Sequence, residues 1–121
     1  FKGKDDFLAI FENEQVIKSM NPDFKKISEL DSRGLIISAQ GINEDFVSRC
    51  FYPQSGIDED PVTGSAHTLM VPYWAEVLKK NILTAHQCSL RGGYLECKLL
   101  QDRVFIGGSS VRYMEGKITL L

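Results

Sequence analysis

Apolar residues in this chain gather in short blocks split by polar and glycine-containing turns, and the spacing inside each block separates strand from helix. Phe7-Leu8-Ala9-Ile10-Phe11 is an unbroken apolar and aromatic run and predicts a buried strand over Asp6 to Phe11. Asn13 is a helix-start residue, Val16, Ile17 and Met20 share one face, and Asn21-Pro22 closes that short helix. Asp23 is placed to cap a second short helix, with Phe24, Ile27 and Leu30 on one side and Lys25, Lys26 and Glu29 on a solvated side. Gly34 then breaks the helix, Leu35 to Ala39 reads as a strongly apolar strand, and residues 40–44 form a turn. Asp45 to Tyr52 reads as the next strand and carries Arg49, which is expected to pair with a carboxylate of the acidic loop that follows.

From Ser65 to Leu78 the pattern changes to a helix. Ala66, Leu69, Met70, Val71, Tyr73, Trp74, Val77 and Leu78 cover almost the whole circumference, which predicts a helix buried all round. Pro72 lacks an N–H and clashes with the preceding turn, so a kink or break is expected between Leu69 and Tyr73. The remainder predicts strands over Thr84 to Leu90, Tyr94 to Leu100, Arg103 to Gly107 and Ser110 to Leu121, the last interrupted at Glu115-Gly116. Short strands joined by tight turns favour antiparallel pairing, so the fold class is α+β: a mostly antiparallel sheet rolled around a central buried helix, as one domain over residues 1–121.

Chemistry concentrates just ahead of the long helix. Asp58-Glu59-Asp60-Pro61-Val62-Thr63-Gly64-Ser65-Ala66-His67 combines three carboxylates, a proline, a Thr-Gly-Ser turn and a histidine. The turn aims free backbone N–H groups and the positive end of the helix dipole at one point, where an anion can dock. Gly64 allows close approach of a ligand, Thr63 or Ser65 can cap the helix and offer a hydroxyl, and Asp60 stands one turn away as a proton carrier. The competing reading is an acidic loop and an ordinary capped helix, because turns and caps favour the same residues.

Charge narrows the partners. With 14 Lys and Arg against 16 Asp and Glu, the net charge of -2 is spread along the chain, leaving no basic stripe for nucleic acid and no cationic helix for a membrane surface. No apolar run approaches the roughly 20 residues that cross a bilayer, and Phe1-Lys2-Gly3-Lys4-Asp5-Asp6 leads into no signal-peptide core, so a cytoplasmic location is expected. Cys50, Cys88 and Cys97 are odd in number and far apart, which suggests neither disulfides nor zinc but inert core positions. Gly92-Gly93 and Gly107-Gly108 are turn or bulge devices, because neither pair lies between a strand and a helix.

The ten-residue string and its flanks resemble one family. The string is similar to the signature of the phenazine-biosynthesis-protein-F-like (PhzF-like) isomerases, relatives of diaminopimelate epimerase, which read Glu-Asp-Pro-x-Thr-Gly-Ser-Ala there. Asp45-Phe46-Val47-Ser48-Arg49, Phe51, Pro53, Gly56, Ile57, Tyr73-Trp74, Gln87-Cys88-Ser89, Arg91-Gly92-Gly93 and the stretch from Val104 to Gly116 extend the likeness over nearly the whole chain. The resemblance implies one lobe, the second, of a two-lobed protein whose site lies in the cleft between lobes. It also implies cofactor-free, metal-free isomerisation or epimerisation of a small carboxylated metabolite by proton transfer.

On this chain the resemblance assigns Asp60 a catalytic part and Thr63, Gly64 and Ser65 substrate binding. The family's catalytic glutamate and its Gly-His-Ala-Thr turn belong to the first lobe and are absent here. Turnover by this chain alone is therefore not expected, and Phe1 in place of methionine fits a fragment. A lone lobe is further expected to expose apolar surface and to self-associate as a homo-oligomer or pair with the missing lobe. His67 and Arg49 are expected to be structural. A non-catalytic binding or interaction module that keeps the fold is the alternative.

Overall fold

A computed structural model describes residues 1–120; Leu121, the last position of the expected C-terminal strand, lies outside the described residues. Six strands form one sheet in chain order: β1 (Asp6–Ile10), β2 (Gly34–Gln40), β3 (Phe46–Phe51), β4 (Ile82–Gln87), β5 (Gly93–Leu100) and β6 (Arg103–Gly108). Among the described residues three α-helices, α1 (Glu14–Ser19), α2 (Phe24–Ser28) and α3 (Gly64–Leu78), and one 3-10 turn, Pro53–Ser55, complete it. The two short helices start where the sequence places their caps, with Asn13 Oδ1 accepting from Val16 N–H at 3.0 Å and Asp23 Oδ1 accepting from Lys26 N–H at 3.1 Å.

The pairing is more mixed than turn lengths suggest. β2–β3, β4–β5 and β5–β6 are antiparallel, whereas β1–β2 and β3–β4 are parallel. Parallel neighbours need long crossovers, and the chain supplies them: α1 and α2 between β1 and β2, and α3 between β3 and β4. Period-2 alternation sends successive side chains to opposite faces. Leu8, Ile36, Phe46, Cys50, Leu83, Ala85, Leu95 and Cys97 point to α3, while Ile37, Ala39, Val47 and Phe51 pack with Ile17 of α1 and Ile27 of α2. α3 packs against the first of these faces and touches both edge strands, β1 and β6.

α3 departs from the sequence reading in two respects. It buries Ala66, His67, Met70, Val71, Trp74 and Ala75, but Pro72, Glu76 and Val77 are exposed, so one side of it is open rather than buried all round. It also runs through Pro72 as one helix, so of the kink or break expected there the break does not occur. Thr68 and Pro72 share the exposed side, so the carbonyl that Pro72 cannot serve is left where water can reach it.

Two strand expectations change as well. β4 ends at Gln87 rather than Leu90, because residues 88–92 turn the chain back into β5. The strand expected from Ser110 does not form among the described residues: Val111, Tyr113, Ile118 and Leu120 are exposed, and no neighbour offers a ladder to them. No described helix is long and apolar enough to cross a membrane.

Two ion pairs, one within α1 and one between Lys80 and Asp45, are expected to make the stability of the fold depend on acid. The Lys18 ammonium hydrogen-bonds Glu14, whose Oε2 also accepts from Ile42 N–H at 2.7 Å, and together they hold the Glu14 carboxyl below its ordinary 4.5 against the opposing effect of burial. Burial pushes Asp45 up, but Lys80 at 2.6 Å and the Thr84 N–H at 2.7 Å outweigh it and bring the carboxyl below its ordinary 3.8. A depressed native carboxyl adds stability above its unfolded value and loses it as the pH falls through the native one. The double variant Glu14→Gln, Asp45→Asn is therefore expected to melt with a flatter pH dependence than the parent below about pH 4.5. Thermal melts between about pH 6 and pH 2 check this, and parallel curves would refute it.

Candidate active site

The loop from Glu59 to Ser65 crosses from the end of β3 to the start of α3 and is fastened at nearly every residue. Arg49, on the α1/α2 face of β3, forks onto Glu59 at 2.7 and 2.9 Å and donates through Nη1 to the carbonyls of Met20, at 2.7 Å, and Ile17, at 3.3 Å. This bidentate pair is the loop contact expected from the sequence, and it ties α1, β3 and the loop together. Asp60 N–H donates to the Cys50 carbonyl at 2.9 Å.

Thr63 occupies the N-cap position of α3, but its hydroxyl does not cap the helix. It donates to Asp60 Oδ2 instead. The first-turn amides of α3 therefore have no side-chain cap, and Gly64 and Ser65 are both exposed, with open space around Gly64. The structure thus brings Asp60 and Thr63 into direct contact and sets Gly64 and Ser65 beside them at the helix start. Ser65 Oγ meets a second fixed group, accepting from Arg33 Nη2 at 3.2 Å. Arg33 is held by a two-point ion pair with Asp6, which raises its pKa and keeps it charged. Ser65, Arg33 and Asp6 border an open concavity of about 250 Å³, and Val62 borders another of about 440 Å³ beside Gly92 and Gly93.

His67 is wholly buried, its Nδ1 is 2.8 Å from the Thr63 carbonyl, and burial depresses its pKa, so it is a neutral brace under the turn. Cys50 and Cys97 are core residues whose thiols burial pushes up, to about 12 and about 11, which leaves them protonated. Cys88 is half-buried, and burial raises its pKa too.

Besides Arg33 and Asp6, three contributors escaped the site reading. Gln87 is fully buried: its Oε1 accepts from Thr63 N–H at 2.9 Å, and its Nε2 donates to the Asp60 carbonyl at 2.8 Å and to Thr63 Oγ1 at 3.1 Å. Ser89 Oγ donates to the Pro61 carbonyl at 2.7 Å and accepts from Gly92 N–H at 3.0 Å. Gly93 admits Val62, since a Cβ there would lie 2.2 Å from Val62 Cγ2. The alternation Leu83, Ala85, Gln87 carried a usable signal: it places an amide on the buried face, where its polar atoms must find partners. Nothing in the local sequence marks Arg33 or Asp6: β1–β2 pairing brings these two together, and Arg33 then reaches Ser65.

The sequence profile of the family described as "Phenazine biosynthesis-like protein" matches residues 1–116. An uncharacterized isomerase of Pseudomonas aeruginosa is 49% identical over 116 residues, covering 96% of this chain and 44% of that protein. Another, from Halalkalibacterium halodurans, is 44% identical over 117 residues, covering 95% of this chain and 44% of that protein. The crystal structure of a PhzF-family phenazine biosynthesis protein of Enterococcus faecalis superposes with a TM-score of 0.86 at 40% identity, covering 95% of this chain and 45% of that one. The chain spans less than half the length of these relatives. With the signature loop, the α+β fold and the profile match agreeing over the same residues, the chain belongs to the phenazine biosynthesis-like, PhzC–PhzF family.

Proposed function

We propose that this chain is the second lobe of a two-lobed, cofactor-independent isomerase that moves a proton on a small carboxylated metabolite. In this reading Asp60 is the catalytic carboxylate of the lobe, and the uncapped amides at Gly64 and Ser65, with the Ser65 hydroxyl, bind the substrate carboxylate. Thr63 holds the Asp60 side chain in place. The observation that carries the reading is the diversion of Thr63: its hydroxyl serves Asp60 rather than the helix, so an aspartate and a set of free helix-start N–H groups are left side by side at the surface.

The partner half supplies what the lobe lacks. A first-lobe glutamate would face Asp60 across a closed, dry cleft, where two carboxylates do not both ionise readily, and the one that keeps its proton serves as acid. Arg33, fixed by Asp6 and touching Ser65, adds positive charge beside the carboxylate-binding turn. Pairing with the first lobe, in cis or in trans, is also the proposed fate of the exposed apolar residues Val111, Tyr113, Ile118 and Leu120.

The test is deuterium incorporation in D2O over a panel of amino-acid-like and cyclic carboxylates, run with the two-lobed gene product and with this chain alone. Exchange is expected from the two-lobed protein and none from the isolated lobe. Exchange by the purified lobe, or by neither protein with any carboxylate, would sink the reading.

A further inference from the structure

The hydrogen bonds around Gln87 have a direction that the backbone dictates. A main-chain N–H can only donate, so the Gln87 atom 2.9 Å from Thr63 N is the carbonyl oxygen Oε1. A main-chain carbonyl can only accept, so the Gln87 atom 2.8 Å from the Asp60 oxygen is Nε2. These two contacts fix which way round the amide sits. The second hydrogen on Nε2 then points at Thr63 Oγ1, 3.1 Å away. That oxygen accepts from Gln87, and its own proton is directed to Asp60 Oδ2.

We propose that Gln87 is the positioning residue of this site: acting through Thr63, it commits Asp60 Oδ2 to accepting and leaves Oδ1 as the oxygen that meets substrate and exchanges the proton. This inference rests on the proposed isomerase role of Asp60 for its consequence, though not for its geometry. Gln87 is 24 residues from Thr63 in sequence and wholly buried, and all three of its amide contacts go to the loop. An amide packed in an apolar sheet face carries a desolvation cost that these contacts offset, and none of them is needed to hold β4 in the sheet.

Neutron diffraction from deuterium-exchanged crystals of the two-lobed protein tests the geometry without reference to activity. The expected map shows two deuterons on the Gln87 nitrogen and the Thr63 hydroxyl deuteron on the line to Asp60 Oδ2. A deuteron on Asp60 Oδ2, or a reversed amide, overturns the proposal. The kinetic arm uses Gln87→Glu, which keeps an acceptor for Thr63 N–H and removes both donated bonds, and Thr63→Val, which removes the relay hydroxyl. Each is expected to lower kcat for deuterium exchange at least about tenfold with KM changed less than about threefold, and the double variant to lose no more than the worse single one, as residues acting through one chain do. Unchanged kcat in Gln87→Glu, or losses that multiply, overturns the proposal. If the parent protein exchanges no deuterium, the isomerase reading fails and the neutron map alone decides the orientation of Gln87.

Discussion

Asp60→Asn in the two-lobed protein is expected to lower the rate of deuterium exchange about 100- to 10,000-fold, the range that a positioned proton-transfer group supplies. The substitution is close to isosteric, and the new amide can still present its oxygen to the Thr63 hydroxyl, so the loop keeps its main-chain contacts to Cys50 and Gln87. The loss should fall on kcat, with the melting temperature unchanged within error. Asp58→Asn is the control, because Asp58 is exposed and stands two residues away in the same acidic run. Equal activity in parent and Asp60→Asn would show that Asp60 is a loop anchor and that the proton moves elsewhere.

Trp74→Ala is expected to cost about 3–5 kcal/mol of folding free energy, enough to remove a large part of the stability of a domain this size. Trp74 is the single tryptophan, 3% exposed, stacked parallel to Phe46 at 6.0 Å and edge-on to Tyr73 at 5.1 Å. Its Nε1–H donates to Ser38 Oγ at 2.9 Å, and that hydroxyl donates in turn to the Val47 carbonyl at 2.7 Å, so one ring joins α3 to β2 and β3. Trp74→Phe separates packing from hydrogen bonding: it leaves no buried donor unpaired, since the Ser38 proton stays on Val47, and should cost about 1–2 kcal/mol. Chemical denaturation gives both values, and a Trp74→Ala variant as stable as Trp74→Phe would refute the packing argument.

How much of this was legible in the sequence depended on how local the cause was. Caps, turns and apolar runs act within a few residues, and the starts of α1 and α2 at Asn13 and Asp23, the ends of β5 and β6, and the helix opening at the Thr-Gly-Ser turn followed from them. The parallel pairs did not, because the partners of β1 and β4 are chosen by crossover helices rather than by turn chemistry. Residues 109–120 alternate like a strand, yet alternation supplies a face and not a partner, and the described residues give them none.

The same limit runs through the candidate site. Composition marked Asp60, Thr63, Gly64 and Ser65, and the carboxylates near Arg49 gave it a partner. Thr63 or Ser65 reads as able to cap the helix, whereas the Thr63 hydroxyl goes to Asp60, and the Gln87 amide that also contacts Thr63 lies 24 residues away, beyond the reach of local pattern. Likewise, a wide apolar arc on α3 read as burial all round, whereas Val77 remains 50% exposed on the side of the helix turned away from the sheet.

The β3–β4 register has a consequence for how such a chain tolerates change. Phe46 lies opposite Ala85 and Ser48 opposite Gln87, which puts the Gln87 amide on the α3 side with Leu83 and Ala85. Inserting or deleting one residue between Ile82 and Gln87 would invert that parity and turn the amide to the outer surface, even though every residue of the loop it serves stayed in place. The reading frame of an otherwise ordinary strand is thereby part of what holds the loop ahead of α3 in shape, and substitutions that preserve hydropathy there are safer than any change of length.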